Sequence, residues 1–318
     1  MVVVAQLCDI REVTSLDGPF IGSEALTDGL VKKHQLRSHY RALFPNVYVS
    51  NDVYVSNDVY VSNDVYVAHG MALTLAKRAQ AAWLWSGRRA VIAGAAAAGM
   101  HGTKWICDDE PVELIWSNAR PPAGISTRRD RLGDEEVQRL RGLPVTTPVR
   151  TAFDLGRLVR GEQGVARLDA LGNATRFDPD AVLDLAIKHA GSPGIPRLRA
   201  ALDLHDRGAE SPRETWLRLL LIRAGYPRPR TQIPVFDDYG RPRYYLDMGW
   251  EDVRVAVEYD GAHHRERAVF GNDIIRAEFI AERCWNRVRV VAGQRPAEIL
   301  ERVARARASG VRRDREIS

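Results

Sequence analysis

The sequence predicts a multidomain chain of mixed α+β and α/β class. Three observations carry this. The chain has 318 residues, too long for one small domain. Its apolar residues recur at helical spacing in some windows and alternate at strand spacing in others. A polar stretch, Asp203–Ala209, separates a long helical run from a second region that mixes helices with strands. The expected division is 1–104, 105–204 and 205–318.

Composition narrows the class. Charged residues make up 27% and hydrophobic residues 45%, as in ordinary globular chains. The Ala-rich stretch Val91–Met100 is the nearest thing to a membrane span and is too short for one. Met1–Leu7 is briefly apolar but lacks a basic leader, and Asp9 and Arg11 follow at once, so a cytoplasmic protein is expected. Cys8, Cys107 and Cys284 are too far apart for metal-ligand spacing and are read as idle thiols. A net charge of +5 and a pI near 9.2 favour a polyanionic partner only weakly.

The N-terminal region begins with two short helices over Phe20–Tyr40. Ser23 is placed to cap the first and Gly29 to end it. Lys32, Lys33, His34, Arg37 and His39 crowd the second. A strand follows at Val47. Helix, turn, helix, strand is the outline of a winged helix, whose second helix enters the major groove; it also fits a small helical cap on another domain. Val-Tyr-Val-Ser-Asn-Asp recurs at Val47–Asp52, Val53–Asp58 and Val59–Asp64. Its period is too short for a solenoid, so it is read as a tandem expansion inside a strand or hairpin.

In the central α/β region Met71–Trp85 is an amphipathic helix and Pro111–Trp116 a strand. Asn118–Arg141 is arginine-rich and read as turns with a solvated face. Pro144–Pro148 is extended, and Arg150–Leu158 begins a helix. Gly161–Leu204 is helical, with breaks expected at Gly172 and Ser192–Pro196.

The last region opens on a complete helix start: Ser211 as cap, Pro212 at the first helical position, Glu214 closing a capping box. Gly225 and Pro227 stop that helix. Strands follow at Gln232–Phe236, Arg243–Trp250 and Val253–Tyr259, joined by hairpin-length turns. A helix at Ala268–Arg283, a strand at Val288–Ala292 and a helix at Pro296–Ala308 complete the order. Alternation puts Glu258 and Asp260 on one face of the third strand, and Tyr245, Asp247 and Gly249 together on the second. Three carboxylates at one point repel each other unless a cation lies between them. Mg²⁺ takes such oxygen ligands, neutralises phosphate charge and activates water. His263 and His264 follow as proton carriers or phosphate contacts. Taken singly, each acid also fits a solvated strand end.

Pro212–Glu214, Ala224–Pro227, Gln232, Asp247–Trp250, Val257–Gly261, His264, Asp273, Arg276 and Val288–Val291 resemble the domains related to the very-short-patch-repair endonuclease, within the restriction-endonuclease-like PD-(D/E)XK superfamily. The resemblance implies an α-β-β-β-α-β endonuclease-like core for 205–318 and a Mg²⁺ or Mn²⁺ cofactor. It implies that Asp247 is the acid of the second strand and Glu258 that of the third. Asp260 stands where the superfamily's lysine usually stands, which removes one contributor to transition-state charge stabilisation. Glu214 is similar to an acid often found on the first helix, His264 to the histidine closing an Asp-Gly-x-x-His segment, and Asp273 with Arg276 to a polar pair on the following helix.

Phe20–Val49, Ala93–Gly102 and Thr146–Leu155 resemble winged-helix, AbiEi-type antitoxin-like proteins. That resemblance implies DNA as a partner, with a cognate toxin as a second. The expected catalytic set is therefore Asp247, Glu258, Asp260, His264 and Glu214, with Asp247, Glu258 and Asp260 on the metal. Lys32, Lys33, Arg37, His263 and Arg276 are expected on DNA. The expected function is a DNA-binding, metal-dependent endonuclease hydrolysing phosphodiesters. The alternative is a non-enzymatic winged-helix regulator or antitoxin-like protein with an inactive nuclease fold.

Overall fold

The computed structural model describes residues 18–44, 47–50, 53–54, 71–117, 120–260 and 267–317. The chain has the mixed α and β content read from its sequence, with sheets of mixed direction. It forms two units: Met1–His101 with Ile106–Thr151, and Gly102–Trp105 with Ala152–Ser318. Among the described residues no helix is long and apolar enough to cross a membrane.

In the first unit β1 (Phe20–Ile21), α1 (Gly22–Thr27), α2 (Lys33–Ser38), β2 (Tyr40–Phe44) and β3 (Val47–Ser50) form a small sheet of order β1-β3-β2, antiparallel throughout, with two helices. The helices are as short as expected, but Ser23 is not the cap. Ile21 holds that position without a side-chain bond, and Ser23 instead accepts Thr27 Oγ1 through its carbonyl. Gly29, at φ 71°, follows the end of α1 as expected. Of the repeat, only β3 and β4 (Val53–Tyr54) are described. β4 pairs with β5 (Met71–Ala72); the later copies lie outside the described residues.

The rest of this unit is built on a five-stranded sheet. Its elements are α3 (Leu75–Trp85), β6 (Val91–Ala93), α4 (Gly94–Met100), β7 (Val112–Ile115), β8 (Ile125–Arg128), β9 (Val137–Leu140) and β10 (Leu143–Thr146), with strand order β8-β7-β6-β10-β9. Ala79, Ile92, Leu114 and Val145 are fully buried between sheet and helices. Two strands, β8 and β9, lie in the arginine-rich segment read as turns. Their arginines are engaged on folding: Arg128 of β8 pairs with Glu113 and Asp130, and Arg139 Nη1 of β9 donates to the Gly142 carbonyl. A division at 104/105 would cut this sheet between β6 and β7, which are hydrogen-bonded neighbours.

Helix α5 (Pro148–Leu158) leads into the second unit, with α6 (Gly161–Thr175), α7 (Pro179–Lys188), α8 (Ile195–Asp203) and α9 (Pro212–Arg223). The expected break at Gly172 is absent, and α6 runs through it. A Cβ there would lie 2.4 Å from His205 Cε1, so the glycine serves a close approach, not a turn. Asp203–Ala209 is not a linker but a bonded junction. Buried Asp169 on α6 accepts the Asp206 amide (2.8 Å), Thr215 Oγ1 (2.8 Å) and Arg218 Nη2 (2.7 Å), the last two from α9. A division at 204/205 would therefore split a buried ion pair.

From α9 onward the observed order is the expected one. The elements are β11 (Arg230–Phe236), β12 (Pro242–Trp250), β13 (Val255–Asp260), α10 (Arg267–Glu282), β14 (Asn286–Val291) and α11 (Pro296–Ile317). The sheet order is β11-β12-β13-β14, the first three antiparallel and β14 parallel to β13 after the α10 crossover. Leu217 and Leu221 of α9 and Ile299 and Val303 of α11 pack with Val255, Val257, Val288 and Val290. Phe279 and Ile280 of α10 pack with Ile233, Leu246 and Ala256. The sheet thus lies between α10 and the α9–α11 pair. Gly249 lets β12 and β13 touch: a Cβ there would meet the Val255 carbonyl oxygen at 2.3 Å.

Candidate functional site

Odd residues of β13 enter the core beneath α9 and α11, which leaves Ala256, Glu258 and Asp260 on the α10 side. On β14 Val288 and Val290 face the same core as the odd residues, so Arg287 and Arg289 share a side with the two acids. Parallel register sets Arg289 beside Glu258 and Arg287 beside Ala256.

Strict alternation does not hold on β12. Leu246 packs with Phe279 and Met248 with Leu217, on opposite faces, although two residues apart. Beside them Gln232, between the partners of Leu246 and Met248, has φ 50°. That left-handed backbone lies on β11, opposite the point where the faces of β12 change. The expectation that Tyr245, Asp247 and Gly249 share one face is corrected accordingly. Asp247 sits at the reversal, where its Oδ2 accepts the Tyr259 amide at 2.8 Å.

A cleft of about 280 Å³ opens here, lined by Glu214, Asp247, Glu258, Tyr259, Asp260, Asp273, Arg276, Arg287 and Arg289. The four acids singled out from the sequence are all in it. Ser211 caps α9 as expected, but Glu214 does not close the box on the Ser211 amide: its Oε1 accepts Ser211 Oγ and its Oε2 the Glu210 amide, both at 2.8 Å. Burial raises its pKa, against the lowering effect of those two bonds. Burial also pushes Asp247 up, to about 7, helped by the charges of Glu214 and Glu258 and opposed by the Tyr259 amide and Arg276.

The arginines change the expected arrangement. Arg276 Nη2 donates to Glu258 Oε1 and to the Tyr245 carbonyl, each at 2.8 Å. Arg287 holds Glu258 Oε2 through Nε at 2.6 Å and Nη2 at 2.5 Å. Arg289 pairs with Asp260. Arg276, expected on DNA, thus meets a carboxylate here, and Asp273 is not its ion-pair partner among the described residues. Arg287 and Arg289 were not singled out from the sequence. The signal was their alternation with Val288 and Val290, which aims them at the face that carries the acids.

Chemically the donors fit a hard divalent cation, being carboxylate oxygens in a half-buried cleft with an excess of negative charge. Among the described residues no three of His, Cys, Asp and Glu stand together as a ready metal cage, since arginines draw Glu258 and Asp260 aside. Asp247 and Asp260 each keep one oxygen outside those bonds. They are the residues that would hold the ion, with Glu258 joining only on releasing an arginine. His263 and His264 lie outside the described residues. Lys32 and Lys33 are exposed at the start of α2, in the first unit; Arg37 lies on the same helix.

Comparison with known proteins gives relatives but no activity. The chain is 30% identical over 190 residues to the uncharacterized protein Rv2248 of Mycobacterium tuberculosis strain H37Rv, covering 58% of this chain and 69% of that protein. It belongs to the Rv2248 family. The uncharacterized protein MT2308 of M. tuberculosis strain CDC 1551 matches with the same figures. No family model and no solved structure matches the chain.

Proposed function

We propose that the chain is a cytoplasmic DNA-binding protein whose second unit hydrolyses DNA phosphodiesters with Mg²⁺ or Mn²⁺ in this cleft. The observation that supports it is one cleft lined by Asp247, Glu258 and Asp260 together with Arg276 of α10 and Arg287 and Arg289 of β14. Carboxylates suit the cation and guanidinium groups suit the phosphate. A bound cation would supply charge neutralisation and an activated water. Arg276 and Arg287 keep Glu258 in place, while Arg289 provides positive charge where Asp260 replaces the superfamily's lysine. The order α9, β11, β12, β13, α10, β14 agrees with the endonuclease-like resemblance. The first unit, through Lys32, Lys33 and Arg37 of a winged-helix-like α2, would position the chain on duplex DNA.

A second reading is favoured by one observation. Both oxygens of Glu258 are taken by arginines, as expected of a nuclease-like fold that has become structural. The chain would then be a non-enzymatic, antitoxin-like regulator with a cognate toxin as partner. The readings separate on incubation of plasmid and short duplexes with Mg²⁺ or Mn²⁺. Metal-dependent cutting by the wild type, lost in Asp247→Asn, supports the enzyme. Absence of cutting, or equal cutting by the variant, sinks it in favour of the regulator. Gel shifts with and without Lys32, Lys33 and Arg37 test the first unit, and binding should fall steeply with salt.

A further inference from the structure

We infer that Asp260 and Arg289 form an exchangeable pair: Arg289 leaves Asp260 for a phosphate of the bound strand when Asp260 takes a divalent cation. Cation and phosphate binding in the cleft are thereby coupled. The inference rests on the phosphodiesterase reading and adds which arginine meets the substrate and when.

Charge counting motivates it. The cleft is lined by five carboxylates (Glu214, Asp247, Glu258, Asp260 and Asp273) and three arginines, an excess of two negative charges when all are ionised. A phosphodiester adds another and is repelled. A divalent cation cancels the excess, so the anion is admitted only with its cation.

The three arginines are not equivalent. Arg287 is 16% exposed and spends two nitrogens on one oxygen of Glu258. Arg276 is tied both to Glu258 and to the Tyr245 backbone. Arg289 is 48% exposed, and its one described bond goes to Asp260, itself 24% exposed. A half-exposed pair with one bond is weakly held. Arg289 can turn to another anion at small cost, and a guanidinium has further N–H donors for a phosphate.

The test uses the full chain, Mn²⁺ followed by the paramagnetic resonance of the free ion, and a 5′-phosphorylated dithymidine as a small phosphate probe. Expected is Mn²⁺ binding about tenfold tighter with saturating dinucleotide than without it, and the same factor on the dinucleotide from Mn²⁺, because coupling is reciprocal. In Arg289→Gln the coupling factor should fall to about one while Mn²⁺ alone binds as well or better, since Asp260 has lost its competitor. Asp260→Asn should bind the dinucleotide more tightly than wild type when no Mn²⁺ is present. A merely structural arginine would weaken both ligands together. Mn²⁺ binding that ignores the dinucleotide, or an Arg289→Gln chain that loses Mn²⁺ affinity, overturns the exchange. If plasmid is still cut in that case, the phosphodiesterase reading survives; if no Mn²⁺ binds at all, both fall.

Discussion

Arg276 and Glu258 join α10 to β13 through a 2.8 Å ion pair, and the same nitrogen of Arg276 reaches the Tyr245 carbonyl on β12. Glu258 is 6% exposed and faces Arg287 as well. Removing it leaves two guanidinium groups without their counter-charge. Glu258→Ala is expected to lose about 3–5 kcal/mol of stability, as broken buried pairs do. Asp247→Asn, which keeps shape and removes a crowded charge, should lose none. Urea denaturation of the two variants checks the contrast, and equal losses would show that Glu258 is not held as described.

Asp247 also sets a pH dependence. Its ordinary value is 3.8, and burial with neighbouring charge raises it to about 7 in the folded chain. Below pH 4 both folded and unfolded chains carry the proton. As pH rises, the unfolded chain releases it first, so the stabilising contribution declines and is gone once the folded group ionises near 7. The slope is at most about 1.4 kcal/mol per pH unit. Thermal unfolding in chelator between pH 4 and 8 should show the decline in wild type and a flatter profile in Asp247→Asn. Parallel profiles would contradict the assignment.

The Asp169–Arg218 pair decides where the chain can be cut. Both side chains are almost fully buried. A fragment starting at 205 contains Arg218 without Asp169 and is expected to unfold without a cooperative transition. Asp169→Ala in the full chain should cost about 3–5 kcal/mol. Circular dichroism melts of fragment and variant are the measurement; a sharp transition in the fragment would restore the boundary at 204/205.

Gly172 offers a test in which helix propensity and packing give opposite signs. In a solvent-facing helix, glycine to alanine stabilises by about 1 kcal/mol. Here the new methyl would lie 2.4 Å from the His205 ring. Gly172→Ala is expected to destabilise by about 1–3 kcal/mol through overpacking. A chemical denaturation midpoint above the wild-type value would show that His205 moves aside freely.

Local chemistry made the second unit legible. Ser211, Pro212 and Glu214 announce α9 because a cap, a first-turn proline and a first-turn acid act within four residues. The turns between β11, β12 and β13 announce the meander for the same reason. That Glu258 and Asp260 would share a face followed from alternation along β13; that Asp247 lines the same cleft did not, because β12 changes faces there. What stayed hidden depends on distant partners. Arg287 and Arg289 reach the acids only because β14 returns parallel through α10. The reversal at Asp247 is marked only by a left-handed backbone at Gln232, in another strand. Gly172 read as a breaker because His205, the reason for it, lies on a later segment. β8 and β9 were obscured by their arginines, which read as a solvated face although Arg128 pairs with Glu113 of the neighbouring strand.

One consequence concerns the outside of the molecule. In the order β11-β12-β13-β14, β14 is an edge strand, with a row of backbone groups not used by its neighbour. Such edges recruit other chains unless charge interrupts them. Arg287 and Arg289 alternate along this one. The residues that balance the cleft are therefore expected to hinder self-association of the sheet as well. A chain neutral at both positions is expected to aggregate on warming, visible by light scattering, before its cleft chemistry can be assayed.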